Sequence, residues 1–239
     1  MSRFLPLERP ALYSPAWFVP YDEHARRVRT AGVGVRLERF ADGGWQPLDE
    51  RAVRTPSAAL VYPGLGRRAE PRGVPPERHR ARFTAPGCLP LYPADGQPFQ
   101  ASLAGVEFLV HAYGDDRPPA VEAAPRLVRL LPAVSYPYGP GVRTVSGRVV
   151  DPVARAPVGN ALVEARGRTG DLVAWHERAL TDALGAFRLS LRWEGERSAG
   201  PEGEVFRLVA TERPGRTGSL SVRLPADPAN GHVIEIRES

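Results

Sequence analysis

Residues 144–167 read TVSGRVVDPVARAPVGNALVEARG, and residues 179–191 read ALTDALGAFRLSL. The first stretch is strand, turn, strand. The second is a Thr-Asp-x-x-Gly-x-Phe corner leading into another strand. Gly147 lets the first strand bend or bulge, and Pro157 sets the turn before the second. Asp182 is placed to cap the corner with its carboxylate, and Gly185 to take a positive φ. Phe187 then enters a core, with Leu189, Leu191 and Trp193 on the same face. This reading places a small β-sandwich module here and finds no catalytic group in it.

Working outward, residues 142–239 offer about seven strands, near 143–150, 158–166, 172–180, 186–193, 204–211, 218–224 and 232–237, spaced as in a sandwich. Upstream, Val33, Val35 and Leu37 alternate with Gly34 and Arg36, and Ala58–Tyr62, Arg78–Thr84, Val106–Ala112 and Arg126–Leu131 are further strand candidates. The expected fold is all-β: two tandem β-sandwich domains over 23–131 and 142–239. Residues 132–141, PAVSYPYGPG, are read as a stiff Pro/Gly linker or as an edge segment packed through Tyr136 and Tyr138. Residues 1–22 form an apolar segment broken by Pro6, Pro10, Pro15 and Pro20. It is read as an extended arm, packed on its own domain or docked on a partner. In the docked reading Phe4, Leu5, Leu12, Tyr13, Trp17 and Phe18 bind that partner. The halves also look alike. VRLERFADGGWQPL parallels VSGRVVDPVARAPV, and RARFTAPGCLPL parallels RLVATERPGRTGSL, at a period of roughly 110 to 125 residues.

Composition agrees with this architecture. The 239 residues hold 26 prolines and 24 glycines, which favours short strands and tight turns over long helices. All 32 basic residues are arginine, and Ile and Asn are scarce, the pattern of a GC-rich bacterial genome. The net charge of +5 is spread among apolar and acidic neighbours. Neither a basic stripe with interleaved aromatics nor a nucleic-acid motif is visible, so no nucleic-acid partner is expected. Cys88, the one cysteine, sits in an apolar setting and reads as a buried, inert thiol. No apolar run approaches the roughly 20 residues that cross a bilayer. The opening MSRFLPLERPALYSPAW lacks the apolar core of a secretory signal, so cytoplasmic synthesis is expected.

The second domain resembles the carboxypeptidase regulatory-like domains, a transthyretin-like seven-stranded sandwich. Ser146-Gly147-Arg148-Val149-Val150-Asp151, Pro157-Val158, Ala161-Leu162-Val163 and Thr181–Leu189 carry the resemblance. In metallocarboxypeptidases this domain is an accessory to a separate catalytic domain, so the resemblance implies no activity of its own. Transthyretin-like hydrolases end in Tyr-Arg-Gly-Ser, whereas this sequence ends Ile236-Arg237-Glu238-Ser239. Domains of this kind also look like parts of phage-tail-like contractile injection particles, where they are appended to cap, collar or baseplate components.

The remaining chemistry is sparse. His24, His79, His111, His176 and His232 form no short zinc spacing. His111 to Asp116, with Asp115, is the most polar constellation and reads as a solvated turn rather than a cation site, since calcium needs more oxygens. No G-x-S-x-G elbow and no phosphate cradle occurs. The expectation is a non-enzymatic structural or adaptor subunit with no cofactor, no metal and no catalytic residue. Its partners would be protein subunits of a homo-oligomeric or ring-associated assembly. A carbohydrate-binding module is the second reading, with Trp45, Tyr62, Trp175 and Trp193 as candidate contacts. A small hydrolase is the third, needing His111 to converge with Arg78 or Arg80.

Overall fold

The computed structural model describes residues 13–93, 96–114, 124–168, 174–191, 204–224 and 226–238. Every regular element among them is a β-strand, as the alternation and the prolines require. The chain is an all-β protein built of sandwich-like sheets. No helix among the described residues is long and apolar enough to cross a membrane.

The first half contains β1 (Trp17–Asp22), β2 (Arg27–Val28), β3 (Gly34–Ala41), β4 (Gly44–Leu48), β5 (Val53–Arg54), β6 (Leu60–Val61), β7 (Glu77–Thr84), β8 (Cys88–Leu91), β9 (Val106–Val110) and β10 (Pro125–Pro132). One sheet has the order β5-β6-β1-β10-β8, with β2 hairpinned onto β1, and the other is β4-β3-β7-β9. The second half contains β11 (Thr144–Asp151), β12 (Ala156–Pro157), β13 (Leu162–Arg168), β14 (Ala174–Leu180), β15 (Ala186–Ser190), β16 (Glu204–Arg213), β17 (Arg216–Leu224), β18 (His232–Glu235) and β19 (Arg237–Glu238). Here β11 lies between antiparallel β15 and parallel β18, and faces a sheet of order β14-β13-β16-β17-β19. The core between these sheets takes Val145, Val149, Phe187, Leu189 and Ile234 from one side. Val163, Ala165, Phe206, Leu208 and Val222 come from the other. Residues two apart on a strand share a face, so the alternating pattern alone sends these side chains inward.

The corner anticipated from sequence forms as the residue types dictate. Asp182 Oδ1 accepts the Leu184 and Ala186 backbone N–H groups at 2.9 Å each, and Gly185 has φ +71°. A Cβ on Gly185 would stand 2.5 Å from the Val149 carbonyl oxygen.

The two halves share one strand order, β6-β1-β10 with β4-β3-β7-β9 and β15-β11-β18 with β14-β13-β16-β17. Their entry hairpins match in detail. Tyr21 pairs with Val28 and Asp22 with Arg27; Val150 pairs with Pro157 and Asp151 with Ala156. Each aspartate accepts the N–H of the alanine three residues on, Ala25 at 2.8 Å and Ala154 at 3.0 Å. Arg26 and Arg155 then take φ 54° and 50°. The sequence alignment of the halves is therefore corrected: the turn at Asp22, not the one at Asp42, is the counterpart of the turn at Asp151.

The chain divides into two compact units, one of Met1–Val19, Val35–Arg82 and Glu107–Leu127, the other of Pro20–Gly34, Phe83–Val106 and Val128–Ser239. These do not follow the partition at 132–141 read from the sequence. In the second unit Leu91 and Leu131, with Leu89 and Phe99, close an apolar cluster with Leu162 and Leu180. Asn160 Nδ2 donates to the Ala101 carbonyl at 2.6 Å, and Ala101 N–H to that of Glu212 at 2.8 Å. Burial of Leu162 and Leu180 on the outside of β13 and β14 therefore draws 83–106 into the later unit.

Residues 17–22 of the expected arm are strand β1. Trp17 pairs with Val61 and Phe18 with Leu60. Phe18 is fully buried and edge-on to Phe108, with centroids 5.7 Å apart.

Candidate functional site

A dense polar grouping lies within the second unit, around the β1–β2 turn. Asp22 fixes the turn through the Ala25 N–H and also accepts the Tyr136 hydroxyl, 3.0 Å from Oδ1. That turn lifts Glu23 and His24 beside β14 and β15. Glu23 accepts Arg178 Nε at 2.8 Å on one oxygen and Arg129 Nη1 at 3.1 Å on the other. His24 is held edge-on by Tyr138 at 4.8 Å and Tyr136 at 5.3 Å. Tyr138 in turn donates to the Arg188 carbonyl at 3.2 Å, with the Arg188 guanidinium 5.0 Å over its ring. Burial pushes the Tyr136 and Tyr138 hydroxyls well above their ordinary pKa, so both stay neutral donors.

His24, Glu177 and Ser190 have the residue types of a hydrolytic triad, and their geometry decides against one. The Ser190 hydroxyl donates to Glu177 Oε2 at 2.9 Å. His24 Nδ1 lies 3.1 Å from Ser190 Oγ and 3.4 Å from Glu177 Oε2. A relay needs the acid on one ring nitrogen and the nucleophile on the other. Here both partners meet the same nitrogen, and the serine proton is already given to the carboxylate. Ser190 and Glu177 are also buried. What the cluster does is give a buried carboxylate the Ser190 hydroxyl as a donor and His24 Nδ1 as a neighbour, as burial of a polar group requires. Sequence reading missed it because His24, Glu177 and Ser190 come from three distant segments with no spacing signal.

Other candidates fall the same way. The Cys88 thiol is buried and pushed up to about 11 by that burial, with Arg29 Nη1 3.0 Å from the sulfur. Tyr62 and Trp175, offered as sugar contacts, are core residues, 2% and 6% exposed. Trp193, Asp115 and Asp116 lie outside the described residues. Among the described residues no group of three His, Cys, Asp or Glu could hold a metal ion. Arg78 and Arg80, whose convergence with His111 the hydrolase reading needs, bind Glu107 and Glu38. Of the expected partner contacts, Phe4, Leu5 and Leu12 lie outside the described residues. Tyr13 is half-buried and edge-on to Tyr113, and Trp17 is half-buried in β1. Phe18 is corrected to a core residue, since full burial in its own sheet leaves it no surface to offer.

The first unit carries an exposed face instead. Leu37, His79, Ala81 and Phe108 point inward, so Arg36, Glu38 and Phe40 of β3 point out, as do Arg78, Arg80 and Arg82 of β7. Trp45 pairs with Phe40 across the hairpin, rings at 5.3 Å. The Arg80 guanidinium lies 4.4 Å over the Trp45 ring and that of Arg78 5.0 Å over Phe40. Strand pairing thus assembles a basic, aromatic face from residues too scattered to read as a stripe in the sequence.

No family model and no curated protein matches the chain. Solved structures similar to it include a streptococcal ancillary pilin, 11% identical with a TM-score of 0.29, over 94% of this chain and 62% of that one. Another is BcpA, the major pilin subunit of Bacillus cereus, 10% identical with a TM-score of 0.28, over 92% and 68%. The chain spans about three-fifths of the length of the ancillary pilin.

Proposed function

We propose that the chain is a non-enzymatic structural or adaptor subunit of a multi-protein assembly. The specific setting proposed is a cap, collar or baseplate accessory of a phage-tail-like contractile particle. The observation that carries the non-enzymatic reading is the His24–Glu177–Ser190 cluster. This grouping has the residue types of a nucleophile, a base and an acid, and its serine and carboxylate sit on the same ring nitrogen. These contacts, with those of Glu23 to Arg178, hold the β1–β2 turn against β14 and β15. The resemblance of residues 144–191 to carboxypeptidase regulatory-like domains, which act as accessories, supports the same reading. So does the two-sheet arrangement of the second half, four strands in one sheet and five in the other. A carbohydrate platform is less favoured, because sugar stacking needs an open ring face and that of Trp45 is covered by Arg80.

The test is size-exclusion chromatography with light scattering on the full chain, followed by co-sedimentation with purified tail-like particles. A defined oligomer, or a stoichiometric band in the particle fraction, is expected. A monomer at every concentration that stays out of the particle fraction overturns the proposal.

A further inference from the structure

The outer face of the β4-β3-β7-β9 sheet presents four arginines, Arg36, Arg78, Arg80 and Arg82, against two glutamates, Glu38 and Glu107. The charges are not disposed as a solvated surface would leave them. Glu38 is buried beneath Arg80 and 3.5 Å from Arg82, so its charge is spent inside the face. Arg82 and Arg78 remain about half exposed. Arg36 is exposed and has no ion-pair partner among the described residues. Phe40 and Trp45 lie among these arginines, and the guanidinium groups of Arg78 and Arg80 stack over their rings. Stacking fixes the planes of these two guanidinium groups; Arg80 gives its Nε and Nη2 to Glu38 and Arg78 its Nη2 to Glu107, so a further carboxylate would meet the face at half-exposed Arg78 and Arg82 and exposed Arg36.

From this face we infer a docking surface for an acidic protein segment, rich in Glu or Asp, on a partner subunit. The inference rests on the assembly reading above and names the chemistry of the partner. Three observations select this occupant. A second copy of the chain is disfavoured because each carries a net charge of +5. Single-stranded nucleic acid and sugars both use open aromatic faces for stacking, and here guanidinium groups cover the rings. Carboxylates need only guanidinium N–H groups, and Arg36, Arg78 and Arg82 are exposed or about half exposed on this face.

The experiment is fluorescence anisotropy of a short labelled oligoglutamate peptide on the full chain. An oligothymidylate and an oligogalacturonate of equal charge serve as comparators. Oligoglutamate is expected to bind more tightly than either. The triple variant Arg36→Gln, Arg78→Gln, Arg82→Gln is expected to bind roughly tenfold more weakly or worse. A charge-matched control, Arg166→Gln, Arg207→Gln, Arg223→Gln, alters the outer face of the β13-β16-β17 sheet, where no aromatic stacks on these arginines among the described residues. It is expected to bind as the parent does. The pair Phe40→Leu, Trp45→Leu keeps every charge and is expected to weaken binding several-fold, because the arginines lose their supports. Melting temperatures confirm that each variant is folded; all the substituted side chains point outward. Equal loss in the control reduces the effect to bulk charge and overturns the inference. So do an unchanged aromatic variant, absent binding, and equal or tighter binding of either comparator. If the triple variant still joins particles as the parent does, this inference fails while the assembly reading stands. Face-dependent peptide binding without any assembly gives the reverse result.

Discussion

Gly147 and Gly218 show how single residues decide the packing of the second sandwich. A Cβ on Gly147 would collide with the carbonyl of His232, and one on Gly218 with that of Glu235. Strand β18 thus passes against two backbones that have surrendered their side chains, and β19 then joins the opposite sheet beside β17. The obstructing atoms are backbone, which cannot swing aside. Gly147→Ala and Gly218→Ala should each cost about 1–3 kcal/mol in urea unfolding. Gly139→Ala, which meets nothing within 4 Å, should stay within about 0.5 kcal/mol. Tyr62 makes the opposite case. Its hydroxyl is buried and finds no partner among the described residues. Tyr62→Phe removes an unsatisfied donor without changing shape, so it should be neutral or stabilising by up to about 1 kcal/mol in the same measurement. Residues whose role is local could be read from the sequence: Asp182 and Gly185 act on their own corner. The need for glycine at 218 could not be, because the atom it avoids arrives from another strand.

At the scale of elements, the strands that were legible are those long enough to alternate, β7, β9, β10 and most of the second half. Strand β1 was not, because Pro15 and Pro20 suggested an unpaired arm. The structure shows why a proline fits there. Strand β1 pairs with β6 at Trp17 and Phe18 and with β2 at Tyr21 and Asp22, and Pro20 lies between the two partners. The Pro20 carbonyl still accepts the Arg29 N–H at 2.8 Å, one rung beyond the last β1–β2 pair, so the missing donor costs only a terminal rung. Strand β7 carries a testable charge. His79 points into the core beside Phe108, and burial lowers its pKa below the ordinary histidine value. The Glu77 carbonyl and carboxylate oppose that shift, and Arg39 and Arg68 reinforce it. A depressed folded pKa means the unfolded chain binds the proton first. The stability this neutral histidine contributes is complete above about pH 6.5 and is lost as the pH falls below it. Unfolding free energies at pH 7.5 and pH 5.5 should therefore differ less in His79→Leu than in the parent. An equal or larger drop in the variant would assign the acid sensitivity to other groups.

For the whole molecule, the strand formed by Trp17–Asp22 changes how assembly must be probed. Deleting all 22 would remove β1 together with the anchors on either side of it. Ser14 Oγ accepts the Tyr62 N–H at 3.0 Å, and Asp22 holds both the β1–β2 turn and Tyr136. Phe18 alone fills a fully buried site, and losing a buried phenylalanine costs about 3–5 kcal/mol before any strand pairing is counted. Native domains are stable by only about 5–15 kcal/mol, so the chain lacking 1–22 should be unfolded or insoluble. A monomer–aggregate difference between it and the full chain would then report folding, not docking. Deleting residues 1–12 leaves every contact among the described residues in place, so the melting temperature of that variant decides whether the segment belongs to the fold. If the shorter deletion melts alike and loses the oligomer or the particle band, Phe4, Leu5 and Leu12 are the docking contacts of the arm. If it melts alike and assembles as before, they are not, and the exposed sheet faces carry the association. A large fall in melting temperature on removing 1–12 would instead make that segment part of the fold, as β1 already is.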